Sequence, residues 1–412
     1  MTNTTITRRS LLRSAAGAAA AAVAFPTIIP SSALGADGAV APSNRLAIGA
    51  IGVGVQGSGD LGGLAGGNQV VGLCDVSTKA LDRMKSRFKD AVTTQDFREL
   101  VSRPDIDLVL IAAPDHWHAI MSIWAMKHGK DVYCEKPLSL TIKDGRAMVD
   151  TARRYGRVFS SGSQRVRGDY GMLADYVASG AIGKIKEIYV SCGGPSRPCN
   201  LPGEPVPEWL NWEMWLGPAP EQPYNAGRIA SYTNPINGNQ WREFQDFSGG
   251  SMTDWGAHNF GGAMYGAQLE DTLPVEINPP GHNGVKNLSY KFANGMTMYH
   301  GGGPQGGAIC YVGTEGTVSN SSRGLNSGRP SPLRQYSVPG GIFADFLNCV
   351  RTRQKPFQDV EYAHRVAAVC HLGNICYWLE RPLKFDPVKE VFIGDEEANR
   401  YLDRARREPW AF

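Results

Sequence analysis

The sequence lacks paired cysteines. Its eight cysteines, Cys74, Cys134, Cys192, Cys199, Cys310, Cys349, Cys370 and Cys376, are scattered through 412 residues without a CxxC spacing. That distribution argues against a zinc site, and no metal is expected. A charge excess is also missing once the first 35 residues are set aside. Those residues hold Arg8, Arg9 and Arg13 and no acid; removing the three leaves 39 basic residues against 39 acidic ones. Nothing there calls for a nucleic-acid partner. The apolar run near the start, ending about Ile29, is short and alanine-rich for a stable membrane span. No cysteine follows it closely, so a lipoprotein anchor is not expected. No internal repeat is visible.

What is present is an ordinary globular balance, with 42% hydrophobic and 20% charged residues. The length suggests two domains after a leader. That leader reads Thr7-Arg8-Arg9-Ser10-Leu11-Leu12-Arg13 before its mild apolar segment. Paired arginines in that setting predict a twin-arginine signal over 1–35, read by the export machinery, with cleavage near Ala33-Leu34-Gly35. A plain disordered N-terminus and a retained anchor are the other readings. Residues 36–44 read as a linker. Twin-arginine cargo folds before export in a reducing compartment. The cysteines are therefore expected mostly as buried thiols, with Cys192–Cys199 the pair to form if any does.

From Arg45 the chain alternates strand and helix. Continuous apolar runs at 46–51, 70–75 and 107–112 predict buried parallel strands, with shorter ones at 131–134 and 158–160. Ser77 is placed to cap a helix reaching about Phe88. Helices are also expected over 118–128 and 141–155. This pattern predicts an α/β Rossmann domain, a doubly wound parallel sheet, over 45–165. The remainder, 166–412, reads as an α+β domain with a large, mostly antiparallel open sheet. It has a strand at 184–192, a long Gly/Pro/Trp-rich loop over 193–249, and strands near 286–292, 296–301 and 308–320. Two late helices follow, near 341–351 and 359–380.

Gly52-Val53-Gly54-Val55-Gln56-Gly57 matches GxGxxG, and Gly57 to Gly62 offers a second register. The first follows an apolar strand directly, where a phosphate turn must lie, so Gly52, Gly54, Val55, Gln56 and Gly57 are the expected cofactor loop. Asp75, eighteen residues beyond Gly57 at a strand end, is placed to accept ribose hydroxyls and repel a 2′-phosphate. NAD is therefore favoured over NADP. Pro114-Asp115-His116-Trp117-His118 follows another core strand, where ligands bind in such sheets. Pro114, Trp117 and His118 are expected at the cofactor, although His118 also suits a plain helix start. Glu135-Lys136-Pro137 follows the next strand, where a lysine beside a nicotinamide can hold a substrate oxygen. In isolation it would read as a surface ion pair.

Together with Asp254-Trp255-Gly256-Ala257-His258, these elements resemble the Gfo/Idh/MocA oxidoreductase family over nearly all of the chain after the leader. The resemblance implies Lys136 as the catalytic lysine and Asp254 and His258 as an acid/base pair. Their i, i+4 spacing would put both on one helix face. It further implies that Glu135, Gln164 and Arg165 face the nicotinamide and substrate. It also implies that the outer face of the second sheet joins copies into a dimer or tetramer. Tyr232, Trp241 and Arg242 precede the Asp254 segment and are expected to reach the substrate. Trp209, Trp212 and Trp215 are expected mainly as packing residues. A structural role for His258 remains an alternative.

The expected activity is hydride transfer between a sugar, glycoside or polyol hydroxyl and a nicotinamide cofactor. Export sharpens this, because free NAD is scarce outside the cytoplasm. The cofactor is therefore expected to stay bound through many turnovers. A redox-neutral NAD-dependent glycosidase is the second reading, and a non-catalytic sugar-binding protein the third.

Overall fold

A computed structural model describes residues 44–411 apart from 232, 233, 237 and 239. The leader and Tyr232 lie outside the described residues.

The first sheet has strands β1 (Ala47–Ile51), β2 (Gln69–Cys74), β3 (Val92–Thr94), β4 (Leu108–Ile111), β5 (Asp131–Cys134) and β6 (Phe159–Ser161). They run parallel in the order β3-β2-β1-β4-β5-β6. This is the doubly wound Rossmann order, whose ligand crevice opens at the strand C-termini beside β1 and β4. Five helices connect the strands: α1 (Val55–Leu64), α2 (Thr78–Arg87), α3 (Phe97–Val101), α4 (Asp115–Lys127) and α5 (Ile142–Tyr155). Ser77 caps α2 by accepting the Ala80 N–H, and Thr141 caps α5 by accepting that of Asp144. Helix α4 starts three residues earlier than expected, so His118 lies within its first turn.

The second sheet has eight strands in the order β12-β11-β7-β10-β9-β8-β13-β14. These are β7 (Ile185–Val190), β8 (Glu276–Asn278), β9 (Leu288–Lys291), β10 (Thr297–His300), β11 (Ile309–Gly313), β12 (Thr317–Ser319), β13 (Leu383–Asp386) and β14 (Val391–Phe392). Only β7 and β10 pair in parallel. The run expected as one strand over 308–320 is a hairpin of β11 and β12. Helix α6 (Gly171–Ala178), unforeseen in the sequence, precedes β7. The short helix α7 (Ser251–Asp254) and α8 (Gly256–Gly266) follow the long loop, and α9 (Gly341–Thr352) and α10 (Val360–Leu379) come late. No helix among the described residues is long and apolar enough to cross a membrane.

The core does not respect sequence order. Ile342, Phe346, Leu347 and Val350 of α9 pack with Ile48, Leu61, Leu73 and Leu110 on one side of the first sheet. Val360, Ala363 and Ala367 of α10 join Val132, Met148 and Phe159 on the other. The chain's last third thus completes the hydrophobic cover that a sheet buried on both faces requires. All eight cysteines are free thiols, and Cys192 and Cys199 are not joined. Six of the eight are fully buried, where a cysteine acts as a small hydrophobe.

Candidate active site and cofactor cleft

The cleft begins at the turn between β1 and α1. Gly52 has φ +77°, and a Cβ there would stand 2.6 Å from the Ala112 carbonyl oxygen. A Cβ on Gly57 would stand 1.9 Å from the Gly52 carbonyl oxygen. Both positions therefore demand glycine. Gly54 differs: a Cβ there meets nothing within 4 Å. It caps the N-terminus of α1, whose unpaired N–H groups and positive dipole end suit a phosphate. The alternative glycine register, from Gly57 to Gly62, lies inside α1 and forms no phosphate turn.

Asp75 stands just beyond β2. Its Oδ2 accepts the Val53 N–H at 2.8 Å and its Oδ1 the Ser77 N–H at 2.8 Å. Burial raises its pKa, opposed by those two N–H groups and by Arg83. The carboxyl therefore braces the glycine loop and retains acceptor capacity for ribose hydroxyls. A cavity of about 460 Å³ opens beside it, lined by Asp75, Ser77, Phe97, Trp117 and Met121 and by Trp209, Leu210, Met214, Trp215 and Ile229 of the long loop. A second space of about 190 Å³ continues past Gly54, Gln56 and Pro114 to Asp115, Lys136, Trp241 and Arg242. A third, of about 270 Å³, adjoins it and is lined by Gln56, Glu135, Lys136, Gln164, Arg165, Arg242, Asp254, Trp255 and His258.

The cleft thus gathers nearly all the site residues expected from the sequence. Among the described residues His118 is the exception. Its ring is buried against two backbone carbonyls, Pro137 O at 2.7 Å from Nδ1 and Ala113 O at 2.8 Å from Nε2. It ties the turn after β5 to the turn after β4 and does not line the cleft. Burial lowers its pKa to about 4.

Lys136 leaves the end of β5 and places Nζ 2.6 Å from Asp254 Oδ1. Arg242 Nε approaches the same oxygen at 3.2 Å. Burial pushes the Asp254 carboxyl up, but Lys136 and Arg242 outweigh it and hold the pKa below its ordinary value. Asp254 is therefore an anion engaged by two cations. Its hydrogen bonds go to those two cations and not to the His258 ring.

Ser163, which the sequence did not single out, has that orienting position. Its Oγ donates to the Ala257 carbonyl at 3.0 Å and lies 3.0 Å from His258 Nδ1. A hydroxyl carries one proton, so with that proton on Ala257 it accepts from Nδ1–H. This tautomer leaves Nε2 as an acceptor. Burial first, and Lys136 second, lower the His258 pKa to about 3, so the ring is neutral at physiological pH. The single helix expected over Asp254 and His258 is interrupted at Trp255, and the His258 N–H donates to the Trp255 carbonyl. Both side chains still line one cavity.

Further carboxyls escaped the sequence reading. Asp60 on α1 contacts Glu135, and Asp60 Oδ2 and Glu135 Oε1 are buried without another partner. Burial and the Asp60 charge raise the Glu135 pKa to about 8; burial raises that of Asp60 to about 6. Asp115, at the first turn of α4, is raised to about 7 by burial. Ser248 stands beside that carboxyl and opposes the rise. Trp255, inside the Asp254–His258 motif, is 45% exposed on the cavity rim, with the Arg165 guanidinium 5.2 Å from its ring. Among the described residues no cluster of three or more His, Cys, Asp or Glu side chains could hold a metal.

The residues present fit a nicotinamide dinucleotide: the open space beside Gly54 at the α1 N-terminus would take a pyrophosphate and the Asp75 carboxyl a ribose.

Comparison with known proteins identifies the two domains. Residues 46–163 match the oxidoreductase-family NAD-binding Rossmann fold, and residues 196–412 match the family's C-terminal alpha/beta domain. A glycosyl hydrolase family 109 protein from a Shewanella species is 37% identical over 129 residues, 28% of this chain and 28% of that protein. An alpha-N-acetylgalactosaminidase of Shewanella oneidensis is 36% identical over 137 residues, 30% of each chain. The matched stretches thus span about a third or less of these two relatives. Levoglucosan dehydrogenase, in complex with NADH and L-sorbose, shares the fold with a TM-score of 0.57 at 19% identity, over 84% of this chain and all of that one. The aldose-aldose oxidoreductase of Caulobacter crescentus has a TM-score of 0.56 at 19% identity, over 83% of this chain and all of that one. By its two matched domains, this chain belongs to the Gfo/Idh/MocA oxidoreductase family.

Proposed function

We propose that the protein oxidises a hydroxyl of a sugar, glycoside or polyol, with hydride passing to a bound NAD. One observation carries this reading: the Lys136 ammonium, held 2.6 Å from Asp254, shares a cavity with the neutral His258 at the end of the dinucleotide cleft. Nicotinamide supplies hydride acceptance when bound. The chain's residues supply the rest. His258 Nε2 takes the hydroxyl proton, Ser163 holding the ring in the required tautomer. Lys136 stabilises the developing alkoxide charge. Asp254, itself bonded by Arg242, holds Lys136 in place, and Gln164, Arg165, Trp241 and Arg242 surround the substrate. Asp75 favours NAD over NADP.

Export by the twin-arginine pathway and a dimeric or tetrameric assembly belong to the same proposal. They rest on the Arg8-Arg9 leader and on the family resemblance. An exported enzyme keeps its cofactor bound and resets it with a second substrate.

A redox-neutral glycosidase is the second reading, favoured by the names of the Shewanella relatives. The test begins by denaturing purified protein and identifying the released nucleotide, with NAD expected. A panel of sugars and aryl glycosides follows. Accumulation of oxidised sugar supports the dehydrogenase. Glycoside hydrolysis without net change in bound NAD replaces it with the glycosidase. Turnover of neither class by a nucleotide-loaded protein overturns both.

A further inference from the structure

The wall of the 460 Å³ cavity that faces the Rossmann domain from outside is built by the long loop, about 130 residues away in sequence. Trp209, Leu210, Met214 and Trp215 stand across from Phe97 and Met121. The loop is fastened there by its backbone. The Thr78 N–H donates to the Trp209 carbonyl at 2.9 Å, and the Asn211 N–H to the Val76 carbonyl at 2.9 Å. These bonds bracket a β-bridge between Ser77 and Leu210. They clamp the turn that carries Asp75. Lys79 Nζ adds a contact 4.9 Å from the centre of the Trp209 ring.

The far end of the segment is fastened as firmly. Trp117 Nε1 donates to the Trp215 carbonyl at 3.0 Å. The chain passes so close that a Cβ on Gly217 would stand 2.0 Å from the Trp117 ring. The C-terminal tail then closes over it. Arg407 donates its backbone N–H to the Pro218 carbonyl and its Nε to the Gly217 carbonyl, each at 3.0 Å. Its guanidinium also pairs with Glu213 at 2.8 Å. Trp410 sets its ring edge-to-face on Trp117 at 4.8 Å.

We infer that residues 209–217, buckled by the tail at Arg407 and Trp410, form a closing wall over the adenosine half of the cofactor, so that the dinucleotide exchanges only when this segment detaches. The chemistry of the chamber suits a purine nucleoside. Its floor is apolar and aromatic, and Asp75, Ser77, Arg83 and Gln95 supply polar groups around it. Detachment breaks two inter-domain backbone hydrogen bonds and exposes Leu210 and Trp215, both 7% exposed. Those costs accrue to the barrier for release. The wall gives a structural basis for cofactor retention, and the inference rests on the nicotinamide-dinucleotide reading above.

The test measures NADH release from the full folded protein, by fluorescence after mixing with excess NAD. Native protein, Trp209→Ala and Arg407→Ala are compared. Reduced nicotinamide mononucleotide, which lacks the adenosine half, is the second probe. Native protein is expected to keep NADH through gel filtration. Both variants should release it at least 10-fold faster, with affinity for the mononucleotide changed less than 2-fold. Trp209→Phe should restore slow release. NADH release at the native rate in both variants overturns the inference. So does an equal loss of mononucleotide affinity, which would mean general loosening of the cleft. If Arg407→Ala does not fold, Trp209→Ala decides alone. A native protein that binds NADH but loses it rapidly defeats only this inference. A protein that binds no nicotinamide nucleotide defeats the functional reading itself.

Discussion

Lys136 Nζ lies 2.6 Å from Asp254 Oδ1, joining the end of a Rossmann strand to a helix 118 residues later. The two side chains are 16% and 13% exposed, so each ion depends on the other for solvation. Lys136→Met is expected to lower kcat/KM by roughly 10²–10³-fold, the span for removing one group that stabilises developing charge. NADH affinity should persist. Asp254→Asn, which leaves Lys136 without its anion, should lower kcat and also the unfolding midpoint. Sugar-dependent NADH formation and calorimetry check both.

Ser163 fixes the His258 tautomer, so Ser163→Ala should lower kcat about 10-fold or more while leaving KM nearly unchanged. A role confined to packing would lower thermal stability without that split. Steady-state kinetics on the best sugar of the panel separates the two outcomes.

Gly54 and Gly57 should differ in how alanine affects stability while both lose NADH affinity. A Cβ on Gly57 collides with backbone, so Gly57→Ala should lower Tm and abolish NADH binding together. Gly54→Ala enters open space. It should fold with stability within about 0.5 kcal/mol of native yet weaken NADH affinity at least 10-fold. Calorimetry and fluorescence titration check the pair.

Burial, and then the Asp60 charge, push the Glu135 carboxyl up to about 8 from its ordinary 4.5. The folded state therefore holds a proton that the unfolded chain releases between those values. The stability tied to the protonated form is complete below about pH 4.5 and is lost as pH rises through 8. Glu135→Gln cannot ionise. Its Tm relative to native protein should rise steadily from pH 5 to pH 9. A difference independent of pH would contradict the protonated Glu135 carboxyl.

Phe346 is buried in the core of the first sheet, although it lies in the last fifth of the chain. Phe346→Ala is expected to cost about 3–5 kcal/mol, measured by urea unfolding. Residues 46–165 expressed alone should not fold cooperatively, because α9 and α10 supply part of their cover.

The local signals were legible in the sequence. Gly52 and Gly57 were recognisable because a tight turn after an apolar strand needs glycine at those points. Asp75 was recognisable because strand C-termini are where such sheets bind ligands, and Lys136 because the resemblance singled it out at another such end. His118 misled for the same reason: a strand-end position brings a residue near the cleft but does not aim its ring. Ser163 escaped because a serine carries no signal until the histidine that needs it, 95 residues on, stands beside it. Asp60 escaped because it sits past the loop motif on an ordinary helix turn.

Periodicity and turn chemistry are properties of a few consecutive residues, and they alone determined the Rossmann half and its phosphate loop, whereas the role expected of Lys136 came from the family resemblance. Partner choice depends on distances set by packing. Only the tertiary structure decided that Lys136 holds Asp254, that Ser163 holds His258, and that a tryptophan loop, fastened by the C-terminal tail, walls the cavity beside Asp75. Each of these joins groups far apart in the chain, and a hydrogen bond or apolar contact forms only where the folded backbone brings its two sides within a few ångströms.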